Sequence, residues 1–177
     1  MIEHKLYNLN YYEEMLRRNS KTAERIVNIR WKFISLLNPQ IVLDYGSGVG
    51  WFRAYRPQDV EVDTYDVGRY PQTGILHKNY DIICLWDVLE HLHSLSEIEN
   101  LLKKTHFIAL SVPIKPEDKP LKRWKHFKPG EHLNYFTEQS LDEAFLRYSF
   151  RSIVKAHPEC PPRQDILSAI YERVKVR

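Results

Sequence analysis

The apolar positions change period along the chain. In SKTAERIVNIRWKFISLL (20–37), Ala23, Ile26, Val27, Ile34 and Leu37 recur at the spacing of one helical face, so a helix is predicted there. Ser20 or Thr22 can cap its start, and Asn38-Pro39 stops it. Shorter apolar runs then follow, of strand rather than helix length. IVLDY (41–45) reads as a buried strand and VEVDTYDV (60–67) as an alternating one. YDIICLW (80–86) is apolar on both sides, and HFIALSVP (106–113) is a further strand ended by Pro113. Residues 49–55 have room for a short helix, and VLEHLHSLSEIENLLKK (88–104) returns to helical spacing with a break near Ser94. Residues 114–134 lose all periodicity and are rich in proline, and structureless stretches of that length in compact domains are usually functional. TEQSLDEAFLRYSF (137–150) predicts a helix with a Thr137–Ser140 capping box and Glu138 in its first turn. RSIVKAH (151–157) and DILSAIYERVKV (165–176) close the chain as two strands, and the short PECPPRQ between them lets them pair antiparallel.

Strands alternating with helices imply an α/β fold with a mainly parallel sheet covered on both faces. Such sheets bind ligands beyond the carboxyl ends of their strands, where the strand order reverses. YGSGVG (45–50) falls at that place. Gly46, Gly48 and Gly50 leave the backbone bare, so a ligand can touch it. A dinucleotide site usually shows G-x-G-x-x-G; here the third glycine comes one residue early and Trp51 follows. A phosphate loop would need G-K-[ST], which is absent. Asp44, just before the turn, repels a pyrophosphate and suits an amine-bearing or cationic ligand. Asp66 ends the second strand, where an acid can accept both hydroxyls of a ribose. Each feature also has a plainer reading, a tight turn and a helix cap; the two in this order favour a nucleoside.

The 177 residues suffice for one domain, read as a helical segment over 1–38 and a core over 39–177. A net charge of +3 permits an anionic partner without demanding one, although basic residues thicken in KPLKRWKHFKPG (119–130). Cys84 and Cys160 read as unpaired thiols of a reducing compartment. No apolar run approaches membrane-spanning length and the N-terminus lacks a signal peptide's apolar core, so a cytoplasmic protein is expected.

VLDYGSGVG (42–50) resembles the first motif of the class I S-adenosylmethionine-dependent methyltransferases, and YDV (65–67) resembles their acid after the second strand. YDIICLWDVLEHL (80–92) is similar to the family's fourth-strand segment, and GEHLNYFTEQSL (130–141) to a segment of its ubiquinone-biosynthesis-like branch. The tail ECPPRQDILSAIYER (159–173) looks like the closing hairpin of short members. The resemblance implies a Rossmann-like fold and S-adenosylmethionine as cofactor. It implies that Tyr45, Gly46, Ser47 and Gly48 carry the methionine end, with Asp44 nearby, and that Asp66 and Val67 hold the ribose. Leu85, Trp86 and Asp87 would pass beneath the sulfonium and the methionine tail. One departure matters: the stretch between Asp66 and Tyr80 is too short for the family's extra helix, strand and adenine contact. A sheet shortened at this edge is therefore expected, its third strand missing or vestigial near GILH (74–77), with Tyr70 or Ile75 covering the adenine.

His132 is the first candidate for a general base, with His91 also a catalytic candidate and His126 and Tyr135 behind them. Each histidine can equally brace a loop through a hydrogen bond. Asp87, Glu90 and His91 share one face if 88–104 is helical, so they offer a divalent-metal set, as the resembling O-methyltransferases are thought to use. The preferred expectation is no metal, with Glu90 and His91 packing at the site mouth. Trp124, His126 and Phe127 suggest a lid over the acceptor, joined by Tyr7, Tyr11 and Tyr12, and Arg17, Arg18 or Arg30 can reach the cofactor carboxylate. The expected activity is methyl transfer to a small-molecule or sugar-like acceptor, at oxygen, nitrogen or carbon. Two rivals are a nicotinamide-dependent oxidoreductase and a non-catalytic binding subunit of the same fold. A nucleic-acid methyltransferase is disfavoured, since SVPIKP (111–116) stands where an N-P-P-Y-type motif would.

Overall fold

A computed structural model describes residues 12–14, 20–68, 75, 77–160, 163 and 165–174. Helix α1 (Ser20–Ile34) leads into β1 (Ile41–Tyr45), a short α2 (Trp51–Ala54) and β2 (Glu61–Tyr65). Strand β3 (Tyr80–Trp86), α3 (Glu99–Leu102), β4 (Thr105–Pro113), α4 (Glu138–Leu146), β5 (Phe150–Ala156) and β6 (Ile166–Arg173) follow. The six strands form one sheet in the order β2-β1-β3-β4-β6-β5. The first four pair in parallel, while β6 runs antiparallel to both β4 and β5. This is the expected mixed α/β sheet with its closing hairpin. At the other side β2 is the edge strand among the described residues; residues 69–74 and 76, where the vestigial strand near 74–77 is expected, lie outside them.

Alternation along the strands separates two cores. Val42 of β1 and Ile82, Cys84 and Trp86 of β3 face Val27, Trp31 and Ile34 of α1 and Phe52 of α2. Leu43, Ile83 and Leu85 point to the opposite face, against Leu101 and Leu102 of α3 and Leu141 and Phe145 of α4. Trp31 stacks on Phe52 at 4.1 Å, and Phe145 on Tyr171 at 4.4 Å, so each layer is anchored by an aromatic pair. Parity places Asp44 on the α1 side of β1, two residues beyond Val42.

Two predicted helices are shorter than the sequence pattern implies. Residues 88–104 do not form one helix: single 3-10 turns at Leu89–His91 and Leu95–Ile98 precede α3. Asp87 takes φ 58°, Leu92 is extended, and Ser94 starts a new turn through a capping box with Glu97. Near the C-terminal hairpin, α4 stops at Leu146 rather than 150, because Ser149 turns the chain at φ 64° and Phe150 already belongs to β5. Its start is as expected: Thr137 and Ser140 cap each other's backbone N–H groups.

Candidate active site

The chain turns after β1 with Gly46, Gly48 and Gly50 at φ 77°, 54° and 83°, conformations that L side chains rarely adopt. A Cβ on Gly46 would also lie 2.5 Å from Val88 Cγ2, so this position has no room for a side chain. The turn is tied to the next strand. The N–H groups of Gly46 and Ser47 both donate to the Tyr65 carbonyl, at 2.7 and 3.0 Å. Gly48 N donates to Asp66 Oδ2 at 2.8 Å, while Asp66 Oδ1 accepts from Gly68 N at 3.0 Å and from the Tyr12 hydroxyl at 2.5 Å. Asp66 is therefore the brace of the turn and not a helix cap. Tyr12, expected in a lid, is buried beside it. Val67 is exposed next to Asp66, and Tyr45 stacks on Tyr65 at 4.7 Å.

Asp44 is 2% exposed and its Oδ2 has no hydrogen-bond partner among the described residues. Burial pushes its carboxyl up to about 7; Arg30 opposes the shift and Asp66 adds to it. Ser47 Oγ and Trp86 Nε1 are likewise buried and unpartnered. Buried polar atoms are nearly always satisfied, so three orphans at the carboxyl ends of β1 and β3 mark a place built for a polar ligand.

At the end of β3 the situation is the reverse. Arg30 of α1 donates through Nη2 to Asp87 Oδ2 at 2.6 Å and Ser111 Oγ at 3.1 Å, and through Nε to Glu159 Oε1 at 2.8 Å. Its guanidinium lies 5.1 Å from the centre of the Trp86 ring. Arg163 donates to Asp87 Oδ1 at 2.7 Å and also pairs with Glu159. Burial alone would raise the Asp87 carboxyl, but Arg30 and Arg163 outweigh it and hold it well below the usual carboxylate range. Arg30, considered for the cofactor carboxylate, is thus committed to protein acids. Glu159, Arg163 and Ser111 were not singled out from the sequence; the four-residue spacing of Glu159 and Arg163 was the only local signal.

A third cluster lies where the long loop returns. The Glu90 carbonyl accepts from Leu133 N at 2.6 Å and Asn134 N at 3.1 Å, and the Asn134 amide donates to the Leu89 and Leu92 carbonyls. These bonds fasten the end of the loop to the 3-10 turn after β3. They bring His132 against His91, with rings edge-to-face at 4.9 Å. Glu90, His91 and His132 each offer a ligand atom, all within 4.8 Å of one another. Asp87, the third member of the set drawn from helical spacing, is held by the two arginines instead. Glu90 is 2% exposed with Oε2 unpartnered among the described residues, and burial, then the Asp87 charge, pushes it up to about 8. His132 is lowered to about 4 by burial, with His91 and Lys128 lowering it further. His91 Nδ1 lies 2.9 Å from the Glu131 carbonyl.

Trp124 is buried, edge-on to His126 at 5.2 Å, and Phe127 meets Tyr135 at 5.5 Å. The aromatic part of the loop is therefore packed down as a wall. Ile75 is buried in the α3–α4 core, Leu85 in the same core, and Tyr7, Tyr11, Arg17, Arg18 and Tyr70 lie outside the described residues.

Residues 12–155 match the family described as Methyltransferase domain. No curated protein matches the chain. Among solved structures, the 1,6-didemethyltoxoflavin-N1-methyltransferase of Burkholderia thailandensis, bound to 1,6-didemethyltoxoflavin and S-adenosylhomocysteine, is 16% identical; 94% of this chain aligns with 84% of that one at a TM-score of 0.66. Magnesium protoporphyrin IX methyltransferase from Synechocystis PCC 6803, with S-adenosylhomocysteine bound, is 13% identical and aligns over 97% and 98% of the two chains at a TM-score of 0.64. The 16S rRNA methylase ArmA is 16% identical over 92% and 91%, at a TM-score of 0.54.

Proposed function

The chain belongs to the methyltransferase-domain family and has the fold of the class I S-adenosylmethionine-dependent enzymes, and from that premise we propose that it methylates a small-molecule or sugar-like acceptor. The unpartnered Asp44, Ser47 and Trp86 atoms around a bare glycine turn support this reading most directly. When bound, S-adenosylmethionine supplies a methyl group on a sulfonium, open to in-line displacement by the acceptor. The N–H groups of Gly46, Ser47 and Gly48 are already given to Tyr65 and Asp66, so the turn of Tyr45, Gly46, Ser47 and Gly48 would hold the amino-acid end through Ser47 Oγ and the backbone surface left bare by the glycines, and Asp44 would face its amine. A cationic amine favours the ionised form of Asp44 that burial otherwise opposes.

Asp66, beside Val67, holds the ribose. A carboxylate has about four acceptor sites, and Asp66 already accepts from Gly48 N, Gly68 N and the Tyr12 hydroxyl. Asp66 would hold the ribose hydroxyls at its remaining acceptor site and at the one that Tyr12 occupies in this structure. Leu85, Trp86 and Asp87 close the strand ends beneath the reacting atoms. We assign to His132, and His91 next to it, the proton that an oxygen or nitrogen acceptor gives up; burial keeps both imidazoles unprotonated beforehand and, by the same lowering, makes them weak bases that pass the proton on to water. Most of the remaining contribution is alignment and exclusion of water. The small molecules named with the Burkholderia and Synechocystis enzymes favour a small acceptor over RNA, although the fold is shared with ArmA. We treat residues 1–177 as one domain, and two free cysteines suit a reducing cytoplasm.

Isothermal titration with S-adenosylhomocysteine tests the cofactor reading. Binding is expected, and Asp66→Ala weakens it about 10–100-fold, as for charged hydrogen bonds. NAD should give neither heat nor a thermal shift. No heat with S-adenosylhomocysteine, or equal stabilisation by NAD, would sink the proposal.

A further inference from the structure

The basic surplus of this chain is local. Residues 115–130 carry six lysines and arginines against Glu117 and Asp118, a net charge of +4, whereas the whole chain carries +3. The remainder is therefore slightly acidic, and the surplus sits in one loop. That loop begins at the carboxyl end of β4, and Lys125 pairs at 3.3 Å with Asp165, just before β6. The His126 carbonyl lies against the His132 ring. Ring contacts run from His132 to Tyr135 at 6.5 Å and from Tyr135 to Trp124 at 6.3 Å. The loop thus borders the same end of the sheet as the glycine turn, on the side of His132.

Folding leaves part of this loop unsatisfied. Lys125 and Lys128 have acid partners, and Lys115 donates to the Pro116 carbonyl. Lys119, Lys122 and Arg123 are exposed and have no acid partner among the described residues. Two buried atoms in the same stretch, Trp124 Nε1 and His126 Nε2, also lack a partner among the described residues, and Trp124 is only 4% exposed. A buried indole N–H usually finds an acceptor. His126 has Lys125, Arg163 and Lys128 as positive neighbours against Asp165, and it donates in its Nε2–H tautomer. The groups left over are cations and donors, so they call for an anion.

We propose that Lys119, Lys122, Arg123, Trp124 and His126 bind the phosphate of the methyl acceptor, so that the acceptor is a phosphorylated small molecule. Three unpaired cations exceed what a single carboxylate can use and suit a phosphate dianion or a diphosphate, with the arginine fork able to take two oxygens. A single-stranded nucleic acid would need exposed ring faces for its bases to stack on, whereas Trp124 is buried and Phe127 and Tyr135 meet each other at 5.5 Å. Trp124 Nε1 and His126 Nε2 are covered in the free chain. The exposed cations therefore make the first contact, and the buried pair completes the site as the loop gives way. The acceptor's role rests on the methyl-transfer reading; phosphate binding itself does not.

Uridine diphosphate glucose and glucose 1-phosphate, titrated into the full chain without cofactor, test the site, with glucose as the neutral control. At least one phosphate should give saturable calorimetric heat and shift the indole N–H resonance of Trp124, identified by its loss in Trp124→Phe; glucose should do neither. The tighter of the two distinguishes a diphosphate from a monophosphate source. Lys122→Ala/Arg123→Ala, both on the surface, should weaken binding at least tenfold at an unchanged melting temperature, and Trp124→Phe, which keeps a packed ring, about fivefold. Lys21→Ala/Lys32→Ala, on α1, should leave it unchanged. No Trp124 shift with either phosphate, equal weakening by the α1 pair, or tighter binding of a single-stranded RNA oligonucleotide than of both phosphates would each overturn the proposal. Heat with S-adenosylhomocysteine, expected to be the same in Lys122→Ala/Arg123→Ala as in wild type, reports on the cofactor reading separately.

Discussion

Asp44 and Asp87 close neighbouring strands, yet their surroundings are opposites. Asp44 is sealed from solvent with one oxygen unpartnered among the described residues, and its carboxyl is pushed up to about 7. Asp87 is more exposed, lies in a left-handed turn, and is gripped by two arginines that keep it ionised. One end of the crevice is underserved and the other saturated. A group that folding leaves unsatisfied is open to a ligand without cost, whereas one gripped on both oxygens by arginines, as Asp87 is, must first break ion pairs.

The saturated end is the easier to break. Arg30→Ala strips a partner from Asp87 and from the fully buried side chain of Glu159, and breaking such a buried pair costs about 3–5 kcal/mol. Urea unfolding should show that loss; a change under 1 kcal/mol would mean that the network is ornamental. The open end responds to pH. In the folded chain Asp44 holds its proton up to about 7, whereas an unfolded Asp loses it near 4. Stability of the cofactor-free protein therefore falls as pH rises through this window, and Asp44→Asn should flatten the decline, recovering about 2–4 kcal/mol at pH 8. Affinity for S-adenosylhomocysteine should move the other way, rising with pH until Asp44 is ionised. A flat wild-type profile would remove the contrast between the two acids. A smaller effect sharpens the geometry of the turn. Gly46→Ala meets Val88 and should cost about 1–3 kcal/mol from overpacking. Gly48→Ala meets nothing within 4 Å and should cost only the backbone strain, about 1 kcal/mol. Equal losses in thermal melts would show that Val88 yields freely.

Features written locally were legible in the sequence. β1 and β3 match the predicted residues because short apolar runs bounded by turns have few other ways to be buried. The glycine turn and Asp66 could be read because their spacing lies within one strand–turn–strand unit. Residues 88–104 misled because their apolar spacing is helical while their backbone is broken at Leu92 and recapped at Ser94, details that depend on docking of the later loop. The Arg30–Glu159 pair spans 129 positions and no local pattern announces it. His132 was singled out for its segment, but its approach to Glu90 depends on hydrogen bonds from Leu133 and Asn134 that only the folded loop can make.

Strand β6 lies between β4 and β5, and β5 touches the sheet through β6 alone. During synthesis from the N-terminus, Phe150–Ala156 therefore emerges before the strand it pairs with, Ile166–Arg173. The parallel half, with its glycine turn, can assemble first, while Arg163 and Glu159 arrive with the hairpin as its latch. A nascent chain can thus own its glycine turn before it owns the far wall of the crevice.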